Sequence, residues 1–170
     1  VIVDQFSKWT ECVALPDQTA ESVAYGFLTR FVAFFGCPLK VHTDQGKNFD
    51  GNLFHAFCSL LEIAKTRTTP FHPQSNAQCE TKNRVILQMI RIFCDGKPGD
   101  WDYQLPFLCM ALHATKSRST GFTPNMLMLG REVASPADML FGAEPHTPAM
   151  STPDWVRYVQ ASLEEAHHFA

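Results

Sequence analysis

Three acidic residues occupy positions from which carboxylates can support metal-assisted chemistry. Asp4 ends a short apolar run that predicts a β-strand, and Asp44 ends another such run, just before Gln45 and Gly46. Glu80 lies one turn into a long helical pattern, behind a proline-rich stretch. Three converging carboxylates would repel one another at pH 7 unless a divalent cation lay between them. Two Mg²⁺ ions about 3.5–4 Å apart can clamp both the attacking and the leaving oxygen of a phosphodiester.

Each of these acids also has an ordinary structural explanation. An aspartate at the end of a strand, such as Asp4 or Asp44, is most often a turn former. A glutamate in the first turn of a helix, such as Glu80, commonly complements the helix dipole. Composition does not establish that the three side chains converge, so a metal site requires a recognised pattern.

The elements that would position these acids follow from hydrophobic spacing and from glycine and proline. The strand at the start of the chain is followed by Cys12–Leu15 as in a hairpin, and further strands are predicted at 39–42 and 63–68. Helices are predicted at about 20–34, at 53–61, at 77–93 and at 154–168, the first of them capped by Thr19. A further helix is predicted after Asp100, with Pro106 either bending it or marking a later start. This order predicts an α/β sheet covered by helices, with 69–76 irregular and 116–152 rich in loops.

Composition limits the class of protein. The chain has 170 residues, 45% of them hydrophobic and 18% charged, which excludes a disordered chain and fits about one domain. No apolar run approaches the roughly 18 residues of a membrane span, and no signal peptide is apparent. The first residue is Val, so we expect a piece excised from something longer. The six cysteines form no CxxC pair, so we expect reduced thiols and no paired-cysteine zinc site.

The net charge of −3 hides an asymmetry between two parts of the chain. Residues 1–131 hold 13 basic and 11 acidic side chains, whereas 132–170 hold one basic and six acidic. We therefore predict a core domain at 1–131 and an acidic, loop-rich extension at 132–170 that ends in a helix. Residues 65–91 hold five basic side chains against one acidic, a local excess that can supply phosphate contacts.

Three motifs carry a family resemblance. They are VIVDQFSKW at 1–9, HTDQGKNF at 42–49 and TTPFHPQSNAQCE at 68–80. This pattern resembles the integrase catalytic core of gypsy-type LTR retrotransposons and retroviruses. Thirty-five residues separate Asp44 from Glu80, the spacing of that family's D,D-35-E signature. The resemblance continues through STGFTP at 119–124 and LGRE at 129–132, so it covers nearly the whole chain.

The resemblance implies an RNase H-like α/β fold, a mixed sheet flanked by helices, with a truncated first strand. Asp4, Asp44 and Glu80 would be the catalytic, metal-binding triad, with two Mg²⁺ or Mn²⁺ ions per active site. Water would first trim the 3′ ends of the element's DNA, and each freed 3′-hydroxyl would then attack target DNA. The chain departs from its relatives at Ala77, where they usually carry glycine, and at Cys79 and Thr81 on either side of Glu80, where they carry valine and arginine; none of the three is a proposed ligand.

The resemblance also implies partners and a location. The implied partners are retroelement DNA ends, target DNA and further copies of the chain in a homodimer or higher multimer. The implied location is the nucleus, after a stage in a cytoplasmic retroelement particle. The family's zinc-binding N-terminal and DNA-binding C-terminal domains are not visible in this sequence. Candidate DNA-binding residues are Lys47, Asn76, Gln78, Lys82 and Arg84.

Several of these candidates have structural alternatives. Arg84 lies four residues after Glu80, so the two side chains can form an ion pair within the helix. Asn76 can simply cap the helix that carries Glu80. His42 and His72 lie within the second and third motifs, but imidazole is a poor ligand for Mg²⁺, and a structural role is expected for His72.

Two other functions are compatible with the same sequence. One is a domesticated, inactive relative kept as a DNA- or protein-binding module. The other is an RNase H-like nuclease that hydrolyses DNA without joining it. An intact set of Asp4, Asp44 and Glu80 argues against decay. A strand-transfer assay separates the three possibilities, because only an active integrase yields a joined product.

Overall fold

A computed structural model of the chain describes residues 1–68, 77–94, 98–140 and 150–170. The helices and strands in chain order are β1 (Ile2–Val3), β2 (Thr10–Glu11), α1 (Ala20–Phe27), a π-helical segment (Leu28–Val32), α2 (Ala33–Phe35), β3 (Lys40–Thr43), α3 (Lys47–Asp50), α4 (Asn52–Leu60), β4 (Ala64–Arg67), α5 (Ala77–Phe93), a 3₁₀ turn (Pro98–Asp100), α6 (Trp101–His113), α7 (Pro124–Leu129), α8 (Pro136–Leu140) and α9 (Thr152–Phe169). No helix in the described part is both long and apolar enough to cross a membrane.

The chain forms two compact units. The first comprises Val1–Val3 and Glu11–Leu105, and the second comprises Asp4–Thr10 and Pro106–Ala170. The division at 131/132, inferred from charge, stays a prediction.

The first unit is built around a pair of parallel strands. β3 pairs with β4 in a register that places Lys40 opposite Ala64 and Thr43 opposite Arg67. Helices α1 and α4 pack against each other, and α4 also packs on β4. Their apolar stripes form one buried cluster, because each helix repeats apolar residues at helical spacing. Its buried members are Ala24, Phe27, Phe31, Phe54, Cys58 and Ile63.

The helix predicted at 20–34 is interrupted by a wider turn. Thr19 caps α1 as expected, since its side chain accepts a hydrogen bond from the Ser22 N–H at 3.2 Å. The π-helical segment follows and leads into α2, which ends at Gly36 with a φ of +82°, a left-handed conformation that suits glycine. The rings of Phe27 and Phe31 stack 5.7 Å apart across the start of the wider turn, and both stay buried.

The second strand lies earlier than predicted. It covers Thr10–Glu11, not 12–15, and forms a two-stranded sheet with β1. The loop closes early because the Asp4 N–H donates to the Trp9 carbonyl at 2.9 Å and the Lys8 N–H donates to the Asp4 carbonyl at 3.0 Å. The described residues thus contain two small sheets, β1–β2 and β3–β4, and the first strand is only two residues long.

The later helices match the predicted pattern with shifted boundaries. α5 covers Ala77–Phe93 as predicted, and α9 begins two residues before the expected start. α6 begins directly after Asp100 and continues through Pro106, so the alternative of a later start is wrong. In the second unit, α7 packs on α9 and ends at Gly130, whose φ is +68°. A β-carbon there would lie 2.8 Å from the Leu163 side chain, so glycine permits this close approach.

Candidate active site

Asp4 follows β1 directly, and the loop leading to β2 fixes its carboxylate. One oxygen, Oδ2, accepts hydrogen bonds from both the backbone N–H and the hydroxyl of Ser7, each at 2.7 Å. Ser7 is 1% exposed, and its hydroxyl also accepts from the Trp9 N–H at 3.2 Å. Within the described residues, the other oxygen of Asp4 accepts no hydrogen bond. The loop therefore holds the carboxylate in one orientation and leaves an oxygen for a further ligand.

A buried aromatic pair supports this loop from within the second unit. The Trp9 ring stacks on the His113 imidazole with centroids 3.7 Å apart and planes inclined by 19°. His113 is buried, and its Nε2 donates to the Thr10 carbonyl at 2.8 Å. Sequence reasoning missed both Ser7 and His113. An Asp-x-x-Ser spacing is a local signal for Ser7, because such short side chains bond nearby backbone and carboxylate groups, whereas no local signal points to His113.

Asp44 follows β3 in a tight turn. Its Oδ1 accepts a hydrogen bond from the Gly46 N–H at 2.9 Å. A β-carbon on Gly46 would lie 2.6 Å from Asn48 Oδ1 and 2.9 Å from the same Asp44 oxygen, so any other residue would displace both side chains. The Gln45 side chain donates to the Thr68 carbonyl at 2.9 Å, and the Thr68 N–H donates to the Thr43 carbonyl at 2.9 Å. The turn that carries Asp44 is thus tied to the end of β4.

Glu80 is exposed in the first turn of α5, beside a half-buried thiol. The Cys79 Sγ lies 3.6 Å from the Val1 carbonyl, which links α5 to the start of the chain. Burial raises the pKa of the Cys79 thiol, and the N-terminal ammonium of Val1 opposes this. The negative charges of Asp44 and Glu80 each raise that pKa further.

Within the first unit, Asp44 follows β3 directly and Glu80 lies in the first turn of α5. Convergence of Asp4 with Asp44 and Glu80 stays a prediction, because Asp4 belongs to the second unit. Across residues 1–68, 77–94, 98–140 and 150–170, no three His, Cys, Asp or Glu side chains are grouped closely enough to hold a metal ion. The chemistry of the donors nevertheless fits Mg²⁺, which prefers carboxylate oxygens and keeps several waters.

Four of the five predicted DNA-binding residues lie on two elements. Lys47 is exposed at the start of α3, and α5 carries three more. On α5, Gln78 and Arg84 are exposed and Lys82 is half-buried. Asn76 lies outside the described residues, and so does its proposed capping role. Their contact with DNA stays a prediction.

The sequence also suggests an ion pair between Glu80 and Arg84 and raises the roles of two histidines, His42 and His72. The described ion pairs do not include one between Glu80 and Arg84, although both side chains are exposed on α5. His42 Nδ1 lies 2.9 Å from the Thr66 hydroxyl across the strand pair. His72 lies outside the described residues.

Comparisons with other sequences identify relatives. The family described as "Integrase core domain" matches residues 1–73. The Pro-Pol polyprotein of simian foamy virus type 3 (strain LK3) is 30% identical over 138 residues, which cover 80% of this chain and 12% of that protein. The retrovirus-related Pol polyprotein from transposon 412 of Drosophila melanogaster is 24% identical over 131 residues, covering 76% and 10%. The chain thus spans about an eighth or less of these relatives.

Comparisons with solved structures identify the fold. A chain of the simian T-cell lymphotropic virus intasome, in complex with PP2A regulatory subunit B56 gamma, has a TM-score of 0.66 at 20% identity and covers 88% of this chain and 51% of that one. The HTLV-2 integrase catalytic core domain, in complex with magnesium in a trimeric form, has a TM-score of 0.60 at 21% identity, with coverages of 72% and 78%. The chain therefore has the RNase H-like α/β fold of retroviral integrase catalytic cores, and its residues 1–73 match the integrase core domain family.

Proposed function

We propose that this chain catalyses the metal-dependent trimming of retroelement DNA 3′ ends and their joining to target DNA. The observation that carries the proposal is the carboxylate of Asp44, held by the Gly46 N–H at the end of β3, with Glu80 in the first turn of α5 after 35 intervening residues, in a chain whose residues 1–73 match the integrase core domain family. A pair of carboxylates supplied by a strand end and a helix can hold a divalent cation beside a phosphodiester. Asp4, which the Ser7 loop orients, completes the proposed triad.

The roles of the residues follow from how each is held. Ser7 fixes one oxygen of Asp4 and the Gly46 N–H fixes one oxygen of Asp44, so in both residues the second oxygen can face a cation. Two Mg²⁺ or Mn²⁺ ions held by Asp4, Asp44 and Glu80 would activate the attacking oxygen and stabilise the leaving oxygen. Water is the nucleophile in trimming, and the freed 3′-hydroxyl is the nucleophile in joining. One set of carboxylates serves both steps, because each displaces an oxygen at phosphorus.

The proposed partners are element DNA ends and target DNA. The solved relatives include an intasome and an integrase core in complex with magnesium in a trimeric form, which supports a multimer that requires the same cation. Basic and amide side chains near the carboxylates would contact phosphates, and the nucleus is the proposed site of action. The candidates for these contacts remain Lys47, Asn76, Gln78, Lys82 and Arg84.

A strand-transfer assay tests the proposal. The 170-residue chain is incubated with a labelled duplex donor and Mg²⁺ or Mn²⁺, and the products are resolved by size. A joined product supports the integrase, cleavage without joining supports the nuclease, and binding alone supports the DNA-binding module. We expect Asp44→Asn and Glu80→Gln each to lower joining by at least roughly 100-fold, because metal-held charge stabilisation is worth several kcal/mol.

The matched control is Glu164→Gln, which removes an exposed carboxylate from α9 and should leave joining unchanged. Circular dichroism spectra of all variants should superimpose, since Asp44 and Glu80 are exposed and pack in no core. Joining retained by Asp44→Asn would exclude the proposed triad.

A further inference from the structure

An open pocket of about 480 Å³ lies on the first unit, where the end of α3, the first turn of α4 and strand β4 meet. None of the predicted catalytic or DNA-binding residues lines it. The residues that line it are Asp50, Asn52, His55, Lys65, Thr66 and Arg67.

The charge in this pocket is unbalanced. Lys65 and Arg67 are two residues apart on β4, so both side chains project from the same face of the strand. Asp50 is the carboxylate among the lining residues, and it faces both cations: Arg67 Nη1 lies 2.5 Å from Oδ2 and Lys65 Nζ lies 3.8 Å from Oδ1. His55 Nε2 also lies 3.8 Å from Oδ1 of Asp50. Two permanent positive charges therefore share one negative charge.

The two cations have hydrogen-bonding capacity to spare. The Lys65 side chain is only 5% exposed, yet among the described residues its ammonium has no acceptor within hydrogen-bonding distance. Arg67 uses one of its five N–H donors, on Asp50, and its side chain is 57% exposed. A buried aliphatic stem thus carries the Lys65 ammonium to a polar pocket where donors outnumber acceptors.

The first turn of α4 adds to the positive potential. Asn52 and His55 are the residues of this helix that line the pocket, and no side chain caps the helix N-terminus. The N-terminal end of a helix carries partial positive charge and favours anions. Cations, spare N–H donors and a helix terminus all suit one ligand class, an oxyanion of about one net negative charge.

The pocket is also close along the chain to the candidate active site. α3 begins after Gly46, whose N–H holds Asp44, and the Asp50 N–H donates to the Gly46 carbonyl at 3.0 Å. One helical turn therefore connects the carboxylate turn to the acidic member of the pocket. A strand of DNA that reaches Asp44 has further phosphates on either side, each a monoanion with two unesterified oxygens.

We infer that this pocket binds a backbone phosphate of DNA through Lys65 and Arg67. The inference rests on the proposed function, since it supplies an anchoring contact for the same substrate. Asp50 holds the two cations in place in the absence of DNA, and the phosphate competes with it. Removal of the Asp50 charge should therefore strengthen DNA binding, whereas a purely structural ion pair would predict no gain.

Binding of a fluorescently labelled duplex to the 170-residue chain, measured by anisotropy between 50 and 200 mM salt, tests the inference. We expect Lys65→Met with Arg67→Gln to weaken binding about 5- to 20-fold at low salt. The slope of log K against log salt should become shallower by about one, as for the loss of one phosphate contact. Asp50→Asn should tighten binding about 2- to 5-fold, because it frees both cations. The control is Arg157→Gln on α9, which removes an arginine paired with a single aspartate at 3.0 Å and should change neither quantity.

Each outcome decides the inference. Wild-type affinity and slope in the double variant, or no gain in Asp50→Asn, would overturn it while leaving joining by the wild-type chain intact. Absence of DNA binding by the wild type would instead refute the proposed function. In a third arm, melting temperatures are measured with 10 mM inorganic phosphate added. If phosphate raises the melting temperature of the wild type but not of the double variant, and the two proteins bind DNA equally, the pocket binds free phosphate and the proposed DNA contact is overturned. Met replaces Lys65 because it preserves the buried stem, and matching melting curves without phosphate confirm that the variants fold.

Discussion

Ser7→Ala is the substitution that most directly tests how Asp4 is positioned. Ser7 donates to Asp4 Oδ2 twice, through its backbone N–H and its hydroxyl, each at 2.7 Å. Alanine keeps the backbone hydrogen bond to Asp4 and removes the hydroxyl, which donates to Asp4 and also accepts from the Trp9 N–H. The carboxylate then keeps one tether and gains freedom to rotate, so we expect the substitution to affect both stability and the geometry of the proposed metal site.

The expected magnitudes follow from the burial and charge of this contact. A hydrogen bond to a charged group contributes about 1.5–3 kcal/mol, and Ser7 is 1% exposed, so water does not replace the lost donor readily. For a chain of this size the loss corresponds to a fall in melting temperature of roughly 3–12 °C. Loss of a group that orients a metal ligand lowers activity or metal affinity by about 10- to 100-fold. Because the Ser7 N–H remains, we expect a joining rate about tenfold lower.

Joining is measured at saturating donor DNA, at least 15 °C below the melting temperature of the variant, across a Mg²⁺ titration. A positioning role predicts a lower maximum rate and a higher Mg²⁺ midpoint. Ser151→Ala is the matched control, because the Ser151 hydroxyl also donates to an aspartate oxygen, that of Asp154 at 2.5 Å, at the start of α9. It should lose about 1 kcal/mol of stability through the lost cap, with no change in the Mg²⁺ midpoint.

One result would refute this reasoning. If Ser7→Ala lost the expected stability but joined DNA at the wild-type rate with the wild-type Mg²⁺ midpoint, the hydroxyl would serve the loop and not the carboxylate. Asp4 would then need no second tether for its role.

Two further substitutions probe the surroundings of Asp44. In Gly46→Ala the new β-carbon would lie 2.9 Å from Asp44 Oδ1. The rate of joining should therefore fall at least about tenfold, while DNA affinity stays within about twofold of the wild type. Gly51→Ala is the control and should join DNA at the wild-type rate, because its β-carbon would lie 3.4 Å from the nearest backbone oxygen, an ordinary contact distance. Because the Asp44 charge raises the pKa of the Cys79 thiol, Asp44→Asn should lower that pKa and increase the thiolate fraction at pH 8. Alkylation of Cys79 by iodoacetamide, followed by peptide mass spectrometry, should then be roughly twofold faster or more in Asp44→Asn than in the wild type. Exposed Cys37 is the internal control. Equal alkylation rates of Cys79 in the two proteins would contradict an effect of the Asp44 charge on this thiol.

The local sequence pattern was sufficient to predict several features of the fold. α5 lies at Ala77–Phe93 as predicted, because its apolar spacing is helical and no glycine or proline falls inside it. Thr19 caps α1 for the local reason that its hydroxyl reaches the N–H three residues on. The Asp44 turn is similarly local, since an aspartate readily accepts from the backbone two residues later.

Other features depend on contacts that no local pattern encodes. The π-helical segment at Leu28–Val32 keeps Phe31 buried and Val32 packed against the core, so its hydrophobic spacing resembles that of a regular helix. The second strand falls at Thr10–Glu11 because backbone bonds between Asp4 and Trp9 close the loop early. The partner of Trp9, His113, is more than 100 residues away in sequence. Tertiary contacts override local preference at such positions.

The parallel pairing of β3 with β4 has a consequence for the order of folding. The register pairs Lys40 with Ala64, so the chain between these partners, 24 positions apart, must close before the first ladder hydrogen bond can form. The intervening α3 and α4 rely on local bonds and can form beforehand, which shortens the search. Asp44 reaches its final place only when Thr68 bonds to both Thr43 and Gln45. On the ribosome, a growing chain therefore cannot present this carboxylate correctly until residue 68 has been synthesised and has found its partner strand.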